Sequence, residues 1–261
     1  MKALNIAATG MIAQQQNVEV VSNNLANLNT TAYQRRRTEF QDLLYDSYRR
    51  VGSTSADSGE VVPSGVQIGL GARLAAVYRI PTQGNLSATD NPFDLAIQGN
   101  GYFQVQLPDG STGYTRDGTF QLNADGQIVT HDGYVVSPGL TIPADAIDVT
   151  INQSGEVLAK LQGQVDLQNV GQFELATFAN ESGLEAIGGN LLLETTASGS
   201  PTTGAPQSDG IGGMVQGFLE TSNVNPVEEI TNLISAQRAY EMNSKVIQTA
   251  DDMMGTLSSL R

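Results

Sequence analysis

The sequence has no cysteine, no tryptophan, a single histidine, only 13 lysines and arginines among 261 residues, and aromatic residues at 6%. Without cysteine there is no disulfide framework, no thiolate metal site and no cysteine nucleophile. The one histidine, His131, stands beside a predicted turn, where a solvated imidazole is expected rather than a catalytic one. The few cations face 27 acidic residues, a formal net charge of −14, so the field of the chain repels nucleic acid and anionic membrane. Long apolar runs are also missing. Lys2 is followed by Gln14, Gln15 and Gln16 before a signal-peptide core can build up, and no stretch reaches the length of a membrane span. Neither a cleaved Sec signal nor membrane insertion is expected. There is no G-x-S-x-G elbow and no P-loop, and "GLGARL" (Gly69 to Leu74) lacks the third glycine of a dinucleotide loop. A carbohydrate enzyme would need clustered carboxylates and an aromatic platform, and the aromatic content offers little for the second. No catalytic residue, metal or cofactor is assigned.

What is present gathers at the two ends. Leu4, Ala7, Met11, Gln14, Val18, Val21, Leu25 and Leu28 recur at alternating steps of three and four, a heptad seam broken only by Gln14. The other faces of this segment carry Asn, Gln, Ser and Thr, and its only charges are Lys2 and Glu19. A water-facing helix normally carries Glu/Lys pairs. Uncharged flanks, with Asn23, Asn24 and Asn27 inside "SNNLANLNTTAY", suit a helix packed against other protein surfaces, where an amide is satisfied more easily than a charge. At the other end "NPVEE" starts a helix: Asn225 is the cap, Pro226 the first helical residue, and Glu228 lies three after the cap. From there Ile230, Leu233, Ala236, Tyr240, Ile247, Ala250, Met254 and Leu257 keep a three/four spacing over a length on the order of 45 Å. The two helices are expected to pair. Their large apolar side chains are too few to offset the ordering of some ~60 residues, so full order is expected only when neighbouring subunits add contacts; an ordinary two-helix pair docked on the central domain stays open as the alternative.

Between the ends the pattern is β. Asp109-Gly110, Asp117-Gly118, Asp125-Gly126 and Asp132-Gly133 punctuate the short runs "YFQVQL", "TFQL", "QIVT" and "YVVS", several with one apolar side (Phe103, Val105, Leu107; Phe120, Leu122). Asp-Gly supplies the positive φ of tight hairpins, and none of these pairs lies in a calcium-loop pattern. Residues 46–65 and 195–213, rich in Ser and Gly, are expected as loop or extended connections. Arg35, Arg36, Arg37, Arg49 and Arg50 hold five of the thirteen cations and are expected to pair with acidic surface, including that of other copies, or to form a solvated basic face. The fold class is therefore α+β: long terminal helices paired as a coiled-coil-like domain, and a central all-β domain with extended connections. The expected divisions are 1–30, 31–80 with an extended loop at 46–65, 81–213 and 214–261.

The segment "GMIAQQQNVEVVSNNLANLNTTAYQRRRTEFQDLLY", with its Asn23-Asn24-Leu25-Ala26-Asn27 run, resembles the N-terminal signature of the bacterial flagellar rod and hook axial proteins. Ala32-Tyr33-Gln34 stands where that family usually has Gly-Phe-Lys. The stretches "NPFDLAIQGNGYFQVQLPDGSTGYTRDGTFQL", "GFLETSNVNPVEEITNLISAQRAYEMNSKVIQTADDMM" and "VPSGVQIGLGARLAAVYRIPTQGNLS" extend the resemblance from end to end and point to the distal-rod branch. It implies a non-enzymatic structural subunit, exported unfolded by the flagellar type III apparatus and polymerised helically across the periplasm. Implied partners are further copies of the chain, proximal rod proteins, the hook protein and the P-ring and L-ring proteins. The implied polymer and helix interface is Leu4, Met11, Val18, Val21, Asn23, Asn24, Leu25, Asn27, Leu28, Ile230, Leu233, Tyr240, Ile247, Met254 and Leu257. The alternatives are a proximal rod or hook protein of the same family and, across classes, a secreted β-rich binding module.

Overall fold

A computed structural model describes residues 2–49, 64–164 and 166–259, with side chains through residue 256. The chain divides into two units. Unit 1 comprises residues 1–26, 36–78 and 225–261, and unit 2 comprises residues 27–35 and 79–224.

Unit 1 holds two long helices, α1 (Lys2–Ala26) and α2 (Pro226–Ser259), which pack against each other. Ala7, Ala13 and Val21 of α1 and Ala236 and Ala250 of α2 are buried, and Leu4, Met11, Val18, Leu25, Leu233 and Ile247 are half-buried. Small residues line the approach: a methyl group on Gly10 would lie 2.8 Å from Asn243 Nδ2, so a larger residue there would push that amide aside. The apolar spacing of both ends thus yields the expected helices, with one shift at the end of α1. It stops at Ala26 rather than near residue 30, because Thr30 turns the chain back, its N–H donating to Asn27 O at 3.2 Å and its hydroxyl to Asn27 Oδ1 at 3.1 Å. Asn27 and Leu28 therefore stand in a turn.

Four strands complete unit 1: β1 (Arg36–Asp42), β2 (Tyr45–Arg49), β3 (Val66–Gly69) and β4 (Ala72–Arg79). β1 pairs with β4 and β2 with β3. Leu43 N–H donates to Gly71 O at 2.8 Å and Leu70 N–H to Leu44 O at 3.1 Å, which joins the two pairs into one ribbon. The connection expected over 46–65 is therefore a paired strand through Arg49. Tyr45, Tyr48, Val66 and Ile68 carry the β preference that the surrounding Ser and Gly conceal. Residues 50–63 lie outside the described residues.

Unit 2 is the β centre. Its strands are β5 (Leu86–Ala88), β6 (Leu95–Gln98), β7 (Tyr102–Gln106), β8 (Thr112–Thr115), β9 (Phe120–Leu122), β10 (Ile128–Thr130), β11 (Ala146–Ile151), β12 (Glu156–Leu161), β13 (Gln168–Gln172), β14 (Leu175–Thr177), β15 (Glu185–Gly188), β16 (Leu191–Leu193), β17 (Thr202–Gly204), β18 (Gly213–Gln216) and β19 (Phe218–Glu220). The largest sheet has the order β15-β16-β8-β7-β14-β17, and β11-β12-β13 form a second sheet. Alternation along β7 buries both of its faces. Phe103 and Val105 enter the main core with Phe120, Val157, Phe173 and Leu175, while Tyr102 joins Tyr114, Ala176, Phe178 and Leu192 on the other side.

Three of the four Asp-Gly pairs turn as expected, with φ +83° at Gly110, +76° at Gly126 and +85° at Gly133. Asp117-Gly118 does not. A methyl group on Gly118 would sit 1.6 Å from Leu95 O, and Gly118 O accepts from Leu95 N–H at 3.1 Å, so this glycine is there for close backbone approach. Residues 195–213, expected as a connection, contain β17 and the first residue of β18. Leu122, expected on the apolar side of its run, is exposed.

Candidate functional site

Among the described residues, unit 1 carries the least ordinary surface. On α2 the buried Glu229, Ala236 and Ala250 and the half-buried Leu233 and Ile247 form the seam toward α1. Val227, Ile230, Ile234, Met242, Val246 and Met253 lie on the faces turned from that seam and are exposed, Val227 at 72% and Met242 at 62%. Tyr240 and Met254, which keep the seam's three/four spacing, are exposed too, and Ile12 is the exposed large apolar residue of α1. Six large apolar side chains exposed on one helix are more than a solvated face usually carries. Among the expected interface residues, Leu4, Met11, Val18, Val21, Leu25, Leu233 and Ile247 are thus buried or half-buried within unit 1, while Ile230, Tyr240 and Met254 are exposed. The side chain of Leu257 lies outside the described residues.

The asparagines divide. Asn23 is exposed on α1. Asn24, expected to face neighbouring helices, is buried at 1% inside its own unit. Its Nδ2 donates to Arg36 O at 2.8 Å and to Glu229 Oε2 at 3.2 Å, and its Oδ1 accepts from Arg36 N–H at 2.8 Å. A side-chain amide has both donor and acceptor, so it pairs with one residue's main chain as a neighbouring strand would. Glu229 itself, 4% exposed, was not legible as a partner. The signal lay in the spacing, since Glu229 is four residues before Leu233 and takes the seam position that the apolar pattern would give to Ile230.

The arginines do not form one patch. Arg35 belongs to unit 2, where its N–H donates to Asn223 Oδ1 at 2.7 Å. Arg36 and Arg37 are consecutive on β1 and so point to opposite faces of the ribbon. Arg49 is exposed on β2, and Arg50 lies outside the described residues. The cap forms as expected at Asn225, whose Oδ1 accepts from Val227 N–H at 3.1 Å with Pro226 opening the helix, while Glu228 is exposed.

Two charged contacts escaped the sequence reading. In unit 1 the Lys2 ammonium meets the Asp46 carboxylate and the Tyr48 hydroxyl, and hydrogen bonding to Asp46 first and Tyr48 second holds its pKa above the ordinary lysine value. In unit 2 the Arg116–Glu220 pair is buried, at 5% and 2% side-chain exposure, with Nε 2.9 Å from Oε2. The same guanidinium donates to Gly101 O at 2.9 Å and to Gly99 O at 3.0 Å, and Glu220 Oε1 accepts from Gly84 N–H at 2.9 Å. A groove of about 510 Å³ in unit 2 is lined by Phe93, Leu122, Ile142 and Ile147 with the carboxylates of Asp125 and Asp148. Among the described residues no three His, Asp or Glu side chains gather where they could hold a metal ion, and no helix is long and apolar enough to cross a membrane.

Three family models match the chain: "Flagella basal body rod protein" over residues 4–34, "Flagellar hook protein FlgE/F/G D1 domain" over 96–159 and "Flagellar basal body rod FlgEFG protein C-terminal" over 215–260. Over 261 residues the chain is 58% identical to the flagellar basal-body rod protein FlgG of Caulobacter vibrioides, with all of both chains covered. The chain belongs to the flagellar basal-body rod protein family. FlgG of Agrobacterium fabrum is 53% identical to this rod protein over 258 residues, 99% of this chain and 98% of that one. FlgG of Bacillus subtilis is 36% identical over 267 residues, covering 100% and 99%. The matched segments at 4–34 and 215–260 contain nearly all of α1 and all of α2, so two of the three family matches of the rod protein take in the helices of unit 1.

Proposed function

We propose that this structural subunit of the flagellar basal-body rod polymerises helically through the outward face of α2 and forms the distal part of the rod, crossing the periplasm and carrying torque to the hook. The observation that carries the reading is the row Val227, Ile230, Ile234, Met242, Val246 and Met253, exposed on a helix whose opposite side is already filled by α1. Such a row is stable in water only when covered, and copies of one chain cover one another by a heterologous contact, which in repetition gives a helical polymer. In this reading the chain is exported unfolded through the type III apparatus. It meets proximal rod proteins at one end, hook protein at the other and the P and L rings around its length, and its uncharged flanks line the export channel. The test is immuno-electron microscopy of purified basal bodies with a label on this protein. Label along the rod between the rings supports the reading, and label confined to the hook or absent from the axis overturns it.

A further inference from the structure

The contacts around Asn24 join three segments that are far apart in the chain: the last turn of α1, the first residue of β1 and the first turn of α2. We infer that Asn24 and Glu229 form a two-ended latch, in which β1 starts in register on Arg36 only when the first turn of the C-terminal helix is in place. Unit 1 thereby orders both chain ends together.

The geometry makes the coupling directional. Asn24 Oδ1 and Nδ2 take the N–H and the carbonyl of Arg36, the same pair of bonds a strand partner would take, and both are 2.8 Å long. The amide plane must therefore lie flat along the Arg36 main chain. The second hydrogen of Nδ2 then points in a fixed direction, toward Glu229 Oε2 at 3.2 Å. Asn24 is 1% exposed, so a hydrogen left unmatched there cannot turn to water, and the amide would be held in place less firmly without its carboxylate. Glu229 is in turn fixed from its own helix, its N–H donating to Asn225 O at 3.0 Å beside the Asn225 cap. Its charge lies in the first turn of α2, at the positive end of the helix dipole. An acceptor brought by residue 229 thus steadies a hydrogen bond on residue 36 that it does not touch. Asn24 and Glu229 act as positioning residues.

Residue 24 must be both donor and acceptor for this. The substitution Asn24→Asp would put a carboxylate against the Arg36 carbonyl and the Glu229 carboxylate at once, while Glu229→Gln would offer that new carboxylate an N–H.

The test is amide hydrogen exchange of the full chain, read at Arg36, with Phe103 and Leu175 in the core of unit 2 as internal reference. Glu229→Leu should speed exchange of the Arg36 amide roughly 10- to 100-fold, the loss expected for a hydrogen bond to a charged group, while the reference amides stay unchanged. Unchanged exchange at Arg36 would overturn the latch, because a purely local cap on β1 has no use for residue 229. If Glu229→Leu removes the order of unit 1 altogether, the decision passes to Asn24→Asp alone and combined with Glu229→Gln. Recovery of Arg36 protection in the pair over the single variant supports the latch, and equal exchange in both overturns it.

Discussion

Replacing Arg116 by methionine should be among the most damaging single changes in unit 2, although the proposed assembly surface belongs to unit 1. The guanidinium bonds Glu220 at 2.9 Å, Gly101 O at 2.9 Å and Gly99 O at 3.0 Å, and it stands 5.8 Å from the centre of the Tyr102 ring. Arg116→Met leaves the Glu220 carboxylate, 2% exposed, without its counter-ion and two buried carbonyls without their donor. Removing one member of a buried pair costs about 3–5 kcal/mol. With a urea dependence of roughly 2 kcal/mol per molar, the unfolding midpoint should fall by about 1.5–2.5 M. The chain has no tryptophan, so the signal is the near-ultraviolet dichroism of the packed tyrosines, Tyr102 and Tyr114. Adding Glu220→Leu to Arg116→Met removes the stranded charge and should recover part of the loss. A midpoint for Arg116→Met within about 0.3 M of the parent would refute the claim that this pair organises unit 2.

Ile234→Asp, on an exposed position of α2, should leave the circular dichroism and melting of the monomer nearly unchanged while abolishing polymerisation in sedimentation assays; polymers of parental length would remove α2 from the interface. Leu25→Asp, at a half-buried seam position, should instead unfold unit 1 itself, by several kcal/mol for an unpaired buried charge, and a variant with parental helicity and motility would contradict the seam. Burial first, and the charge of Glu181 second, push the Tyr102 phenol above its ordinary value of 10.0, so the folded state keeps a proton the unfolded state gives up; stability should be level below about pH 10 and fall above it. Equal chemical stability at pH 9 and pH 11 in a buffer series would count against it.

The two helices were legible because three/four spacing is a local property of the sequence and because Asn225-Pro226 marks a start by its own chemistry. The β centre was legible in kind: Phe103 and Val105 alternate with polar neighbours, and Asp-Gly marks three of the turns. What escaped was whatever depends on a partner distant in sequence. Gly118 looked like the Asp-Gly hairpin turns near it, and only the approach of Leu95 shows its different use. The five arginines read as one cluster because they are close in the chain, yet strand alternation separates Arg36 from Arg37. Asn24 was expected to face neighbouring helices, as an amide satisfied by protein rather than water. The neighbours are Arg36 and Glu229 of the same unit, and an amide carries no mark of which partner will satisfy it.

The separation of unit 1 into three segments raises a cost that the fold meets inside unit 2. Bringing residue 225 back to residue 26 closes a loop of nearly 200 residues, an entropic cost of roughly 4–5 kcal/mol if the chain between were flexible. Unit 2 reduces that freedom by gathering three of the four places where the chain crosses between the units. Asn223 Oδ1 accepts from Arg35 N–H at 2.7 Å, its Nδ2 donates to Ile80 O at 3.0 Å and to Thr82 O at 2.8 Å, and its N–H donates to Tyr33 O at 3.3 Å. Ile80 N–H donates in turn to Arg35 O at 3.0 Å. One residue thus holds residues 33–35, 80–82 and 223 together, each within three residues of a crossing into unit 1. Asn223→Leu removes one acceptor and the Nδ2 donor together, at about 1 kcal/mol per bond. The loss should appear in unit 1, which then closes from a looser frame. Amides in α1 and α2 should lose protection by roughly 10-fold or more while the Phe103 and Leu175 amides at the centre of unit 2 keep theirs. If exchange instead rises only around residues 80–82 and the helices are unaffected, the gathering of the crossings contributes nothing to the folding of the ends, and unit 1 closes on its own helix contacts.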